Sequence, residues 1–256
     1  MHIHFIIHEH FEAPGAYEIW GKQHGHTLTC SRVYREEPLP EKLDDIDMLI
    51  VMGGPQSPAT TLQECPWFDA QAEMAVIRRA IQAGKMVIGV CLGSQLIGEA
   101  LGATFSHSPE KEIGKFPITL TEAGKANPMF AGFGSKLAVG HWHNDMPGLT
   151  PQAKILAYSE GCPRQIVEYS ERVYGFQCHL ELTPEVVELL IAHSQSDLRQ
   201  AEKLRFVETP EQLRSHDYQE MNQALFSFLD KLTARYGVNP GSSRQGAVSA
   251  LQSHRP

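Results

Sequence analysis

Residues 46–52, Ile-Asp-Met-Leu-Ile-Val-Met, are apolar at every position but one and stop at Gly53-Gly54-Pro55. A strand with one wet face would alternate between apolar and polar residues. A run this continuous suits a strand covered on both faces, as in a parallel sheet sandwiched between helices. It is also far too short to cross a bilayer.

The flanking sequence extends that reading. Ile3–His8 reads as a strand, Gly15–His24 as a helix and Thr27–Tyr34 as a strand. A helix is predicted over Trp67–Ala83, where Phe68, Met74, Ile77 and Ile81 share a face and Gly84 supplies the stop; Met86–Val90 follows as a strand. This β-α-β-α order predicts an α/β fold: a doubly wound, mainly parallel open sheet with helices on both faces, its chemistry at the carboxyl ends of the strands. Between Ala103 and Gln177 shorter strands are expected at Phe116–Thr121, Leu137–Val139, Ile155–Tyr158, Gln165–Tyr169 and Val173–Gln177, as antiparallel additions. Helix returns at Pro184–Leu198 and at Pro210–Tyr236, where Met221, Leu225, Phe228 and Leu232 repeat at helical spacing. Neither internal repeats nor an interdomain linker is visible, so 1–238 is expected to be a single domain. Residues 239–256 have too little apolar content to pack and are expected to form a mobile tail.

Charge and cysteines narrow the partners. A formal charge of -8 with no Lys/Arg-rich block argues against a nucleic-acid partner. The five cysteines form no CxxC pair, which points to a reducing compartment. MHIHFIIHEH lacks a basic n-region and a cleavage site, and no long apolar run occurs elsewhere, so a cytoplasmic protein without membrane contact is expected.

The strand Met86–Val90 runs into Gly89-Val90-Cys91-Leu92-Gly93-Ser94-Gln95. G-x-C-x-G is the thiol counterpart of the G-x-S-x-G nucleophile elbow, a strand-to-helix turn so tight that it needs glycines and lifts its central side chain out of the sheet. Leu92, Leu96, Ile97, Ala100 and Leu101 give the following helix a buried face, which puts Cys91 at a helix N-terminus, a setting complementary to a thiolate. Alone, the pattern also fits a buried apolar cysteine. A base is needed, and Gln177-Cys178-His179-Leu180-Glu181 offers one: residues two apart on extended chain project together, so His179 and Glu181 can face one site while Cys178 and Leu180 face the core. Nucleophile, base and orienter would then be Cys91, His179 and Glu181.

Taken together, Gly53-Gly54-Pro55, the Cys91 elbow and the His179–Glu181 segment resemble the class I glutamine amidotransferases in order and spacing. HEHFEAPG, EIGKFPIT and HWHND are similar to the stand-alone subgroup related to the amidotransferase domain of GMP synthase. The resemblance implies a flavodoxin-like amidotransferase fold and a Cys91-His179-Glu181 triad. It further implies an oxyanion hole from the backbone N–H groups of Gly54 and Leu92, and a grip on the substrate by Gln95 and by a turn at His143-Asn144-Asp145, where Asp145 suits an α-ammonium group. The implied reaction is hydrolysis of the γ-amide of glutamine through a cysteine thioester, giving glutamate and ammonia, with no cofactor. Expected partners are glutamine or another γ-glutamyl compound and a separate synthetase subunit that accepts ammonia; a homodimer is left open. A stand-alone γ-glutamyl peptide hydrolase and a silent binding module of the same fold are the alternatives. Ser94 stands where many members have His and Leu180 where most have Pro, departures that touch substrate fit only.

The remaining histidine pairs, His2/His4, His8/His10 and His141/His143, are read as exposed polar positions on alternating strands. No metal site is expected, because further ligands at matching spacing are missing. Met52-Gly53-Gly54-Pro55 has neither GxxxxGK[ST] nor GxGxxG around it, so nucleotide binding finds no support.

Overall fold

The computed structural model describes residues 1–236 apart from 200 and 202; the tail expected at 239–256 lies outside the described residues. Among these, the strands are β1 (His2–Ile7), β2 (Thr27–Arg32), β3 (Met48–Val51), β4 (Met86–Val90), β5 (Ser106–Leu120), β6 (Lys136–Met146), β7 (Lys154–Tyr158), β8 (Ile166–Ser170), β9 (Val173–Phe176) and β10 (Phe206–Val207). The helices are α1 (Ala16–Gln23), α2 (Ala70–Gln82), α3 (Leu92–Ala100), α4 (Glu122–Ala126), α5 (Pro184–His193), α6 (Gln195–Leu198), α7 (Pro210–Ser215) and α8 (Gln219–Tyr236).

All ten strands share one open sheet in the order β10-β5-β7-β8-β9-β4-β3-β1-β2, with β6 paired to β5. The half from β9 to β2 is parallel. Ladders joining β5, β6, β7, β8 and β9 are antiparallel, as expected. The apolar run at 46–52 serves two cores at once. Met48, Ile50 and Met52 join the core covered by Tyr17 and Trp20 of α1 and Met221, Leu225 and Phe228 of α8, whereas Leu49 and Val51 join Met74 and Ile77 of α2 and Leu96 of α3. Strand alternation therefore persists inside a continuous apolar run, and each fully buried side chain of this size contributes roughly 1.5–3 kcal/mol.

Several boundaries differ from expectation for local reasons. The second strand ends at Arg32, because Val33–Arg35 turns into a 3-10 helix. The helix expected from Trp67 starts at Ala70, because the Asp69 carboxylate caps it by accepting the Ala72 N–H at 3.0 Å. Pro184–Leu198 divides at Ser194 into α5 and α6, and Pro210–Tyr236 divides into α7 and α8 where Asp217 accepts the Gln219 N–H at 2.8 Å. The short strands expected at Phe116–Thr121 and Leu137–Val139 belong to the long β5–β6 pair, whose polar ends carry no apolar alternation. Among the described residues, no helix is long and apolar enough to cross a membrane.

Candidate active site

The carboxyl ends of β9, β4, β3 and β1 lie side by side. They carry, in that order, Gln177–Glu181, Cys91, Gly53–Gly54 and His8–Glu12.

Cys91 stands between β4 and α3 with φ 49° and ψ -108°, a positive φ that a non-glycine residue rarely adopts. Such strain costs on the order of 1–3 kcal/mol and persists where the surroundings over-determine it. The flanking glycines are part of that enforcement: a Cβ on Gly93 would come 2.0 Å from the Val51 carbonyl oxygen, and one on Gly89 would come 2.3 Å from the Gly93 carbonyl oxygen. The Cys91 N–H donates to the Phe176 carbonyl at 2.7 Å, tying the elbow to β9. Neither the Leu92 N–H nor the Gly54 N–H meets an acceptor among the described residues.

Around Cys91 Sγ the neighbours are specific. The Gln177 Nε2–H donates to the sulfur at 3.4 Å, while Gln177 Oε1 accepts from Gln95 Nε2 at 3.1 Å and lies 3.3 Å from Ser94 Oγ. Ser94 also donates to the Cys91 carbonyl at 2.7 Å, so it braces the elbow. His179 is fully buried, and its Nδ1 donates to Glu181 Oε1 at 2.6 Å. That bond leaves Nε2 as the ring's other nitrogen, with no partner at ordinary hydrogen-bond distance among the described residues. Burial opposes charge on this ring, yet the Glu181 carboxylate and then the neighbouring Cys91 sulfur outweigh it and hold the imidazole well above its ordinary pKa. Cys178 and Leu180 are buried in the core, as their alternation predicts. His179 lies just beyond β9, in a bridge with Gly140 of β6 made by paired bonds of 2.8 and 3.0 Å. The Ala16 N–H donates to the Glu181 carbonyl at 2.9 Å, and a Cβ on Gly15 would come 2.2 Å from that oxygen. This close approach explains the glycine in EAPG.

His8 was expected to be exposed and is instead fully buried. Its Nδ1 donates to the Gly53 carbonyl at 2.9 Å and its Nε2 meets Glu73 Oε2 at 2.8 Å. Burial opposes its charge, but Glu73 and the Gly53 carbonyl raise its pKa above the usual imidazole value. The C=O and N–H of one trans peptide point in opposite directions, so pinning the Gly53 carbonyl to His8 aims the Gly54 N–H the other way. Glu12 packs its carboxylate against Gly53, and burial, with Glu181 nearby, pushes its pKa up.

Beside these groups lies a cleft of about 370 Å³, which Cys91 and Glu12 line and His8, Gln177, His179 and Glu181 do not. Of the residues proposed from sequence, Cys91, Gly54, Gln95, His143, Asn144 and Asp145 line it, while Leu92 is fully buried beneath. His143, Asn144 and Asp145 lie within β6 and not in a turn. Asp145 is already engaged by His107 Nδ1 at 2.5 Å. His141 and His143 are buried, contrary to the exposed positions expected: their rings turn inward toward Glu112, and burial drops the His141 pKa to about 3. Glu12, Gln56, Lys111, Trp142 and Ser194 also line the cleft and were not singled out from sequence. HEHFEAPG, which contains Glu12, and HWHND, which contains Trp142, carried the only signal for any of them.

The open α/β sheet thus carries a cysteine elbow at its carboxyl edge, faced by a buried His–Glu pair. The chain belongs to the glutamine amidotransferase class-I family, whose model matches residues 22–192. It is 60% identical over 233 residues to the glutamine amidotransferase-like protein YfeJ of Salmonella typhimurium, covering 91% of this chain and 98% of that one. It is 30% identical over 176 residues to one subunit of the glutamine-hydrolysing GMP synthase of Methanococcus maripaludis, covering 64% and 85%. The solved glutamine amidotransferase of Methylobacillus flagellatus superposes with a TM-score of 0.81 at 25% identity, over 93% and 95% of the two chains.

Proposed function

We propose that this chain, read over 1–238 as one catalytic domain, hydrolyses the γ-amide of glutamine to glutamate and ammonia. The observation that carries the reading is the 2.6 Å His179–Glu181 bond, which fixes the imidazole with its second nitrogen free beside Cys91. In the first half-reaction Cys91 Sγ bonds to the amide carbon while the carbonyl oxygen takes up negative charge, stabilised by the N–H groups of Leu92 and Gly54. The C–N bond then breaks, and the leaving nitrogen takes the proton of His179 and departs as ammonia. In the second half-reaction His179 removes a proton from water, the hydroxide adds to the thioester carbon, and the C–S bond breaks to release glutamate.

Gln95 uses its Nε2 on Gln177, and its Oε1, without a partner among the described residues, can accept from the substrate's amide N–H. Asn144 and Asp145, with His143 behind them, take the amino-acid end, Asp145 receiving the α-ammonium group. The ammonia passes to a separate synthetase subunit, in keeping with the similarity to GMP synthase. All five cysteines are free, which suits a reducing cytoplasm.

The test is a release assay comparing glutamine, γ-glutamyl dipeptides and glutathione, with and without cell extract. Glutamine turnover that disappears in Cys91→Ala, together with a γ-glutamyl adduct on Cys91 in the intact protein, is the expected result. Near-normal turnover in Cys91→Ala would overturn the assignment, and cleavage of peptides alone would replace glutamine by a γ-glutamyl peptide as the donor.

A further inference from the structure

We propose that Glu112, His141, His143 and Gln165 form a closed four-coordinate site for a divalent cation of the zinc class, behind the wall of the cleft. The sheet register assembles three of them. Glu112 of β5 pairs directly with His143 of β6, and His141 lies two residues earlier on β6, on the same face. Gln165 enters from the residue just before β8. The third ligand is therefore supplied by strand pairing, a relation that spacing along the chain does not display.

Distances among the four polar ends are those a tetrahedral cation needs. Glu112 Oε2 is 3.3 Å from His143 Nε2 and 3.5 Å from His141 Nδ1, and the two ring nitrogens are 3.4 Å apart. The amide nitrogen of Gln165 caps that triangle at 2.7 Å from Glu112 Oε2 and 3.2 Å from each ring nitrogen. A tetrahedron with edges averaging about 3.2 Å has its centre about 2.0 Å from each corner, and zinc binds nitrogen and oxygen at about 2.0–2.2 Å.

Hydrogen counting leads the same way. The His141 Nε2–H donates to the Phe116 carbonyl at 3.2 Å, which leaves Nδ1 as a lone pair aimed at the cluster; an outer carbonyl of this kind commonly orients a ligating histidine. An amide nitrogen carries two hydrogens, yet Gln165 Nε2 faces four groups, the fourth being Ser159 Oγ at 2.9 Å. Meanwhile Gln165 Oε1, Glu112 Oε1 and His143 Nδ1 are buried with no partner among the described residues. A half-turn of the amide places its oxygen at the fourth corner, and a dication then satisfies that oxygen together with the lone pairs of Glu112 Oε2, His141 Nδ1 and His143 Nε2. Ser159 O–H, donating to Glu112 Oε2 at 2.9 Å, supplies outer support.

Two imidazoles and a carboxylate are the donors zinc prefers, with the Gln165 amide oxygen completing the set, whereas calcium and magnesium take all-oxygen sets. Four protein donors leave no open position, and all four residues are buried, so the cation is structural and is acquired as the chain folds. It would fasten β5 and β6 to the segment leading into β8, behind Lys111, Asn144 and Asp145 of the cleft.

The test uses untagged protein from cells grown with added zinc or added cobalt. The wild type is expected to retain about one equivalent of metal, to show the intense visible absorption of tetrahedral cobalt, and to unfold about 5–10 °C higher than its chelator-refolded form when zinc is held near a hundredfold over its dissociation constant. Glu112→Gln, or His141→Asn if that variant misfolds, is expected to lose the metal and the cobalt absorption. Wild type with less than about a tenth of an equivalent from both media, or metal retained equally by a folded ligand variant, overturns the site.

Discussion

Glu181 is asked to do two things to His179: fix its tautomer through the 2.6 Å bond and raise its proton affinity. They can be separated. Protonating the leaving nitrogen needs His179 in its charged form, which is lost as pH rises through its raised pKa, so the alkaline limb of kcat/KM is expected well above pH 6.5. In Glu181→Gln the carboxylate that lifts the ring is gone, so the limb moves down in pH, and the rate falls by up to about 10⁴ where the amide selects the other tautomer. A pH–rate profile of the two proteins checks both effects; an unmoved limb would show that Glu181 does not set the charge of His179. Gln177 and Glu12 belong at this scale too. Each is an ordinary polar residue in the sequence, and only the approach of strand ends places one against the Cys91 sulfur and the other against Gly53.

At the scale of the element, α8 closes the face of the sheet opposite α2 and α3. Phe228 is fully buried and its ring packs at 5.3, 5.1 and 5.1 Å from those of Phe130, Tyr174 and Phe176. Phe228→Ala is expected to destabilise the protein by about 3–5 kcal/mol, read as a lowered urea midpoint at an unchanged m-value. The helix was legible because its apolar residues repeat every three or four positions, and β4 was legible to the residue because its run ends in the elbow. What the sequence hid was of another kind. β5 and β6 continue through HSPEKE and HWHND, polar stretches made into strand by pairing with each other and not by an apolar face of their own. The same pairing turned His141 and His143 inward against Glu112, which no reading of a single strand could have anticipated. The elbow and the His179–Glu181 pair were visible because each is contiguous, and so was the His143-Asn144-Asp145 part of the cleft wall; Gln56, Lys111 and Ser194 were not, because separate chain segments bring them there.

For the molecule as a whole, proton linkage at the edge of the parallel sheet offers a measurable handle. His4, on β1, hydrogen-bonds Thr29 at 2.8 Å and Ser31 at 3.1 Å on β2. Burial, with a smaller contribution from His2, lowers its pKa to about 4. A lowered folded pKa gives stability that is present above the unfolded value of 6.5 and lost as pH falls toward about 4, because the unfolded chain takes up the proton first. His4→Gln is therefore expected to unfold with a shallower decline in midpoint between pH 6.5 and 4 than the wild type. Thermal scans across that range check it, and parallel declines would show that this ring does not govern the edge.

The adjacency of four strand ends also orders events during synthesis. Cys91 leaves the ribosome long before His179 and Glu181, and the segment that holds them reaches the thiol only when β9 pairs with β4. Until that pairing forms, the nascent chain carries the Cys91 sulfur without the His179 imidazole beside it. On the proposed reaction, amide cleavage would therefore start only once the parallel half of the sheet has closed.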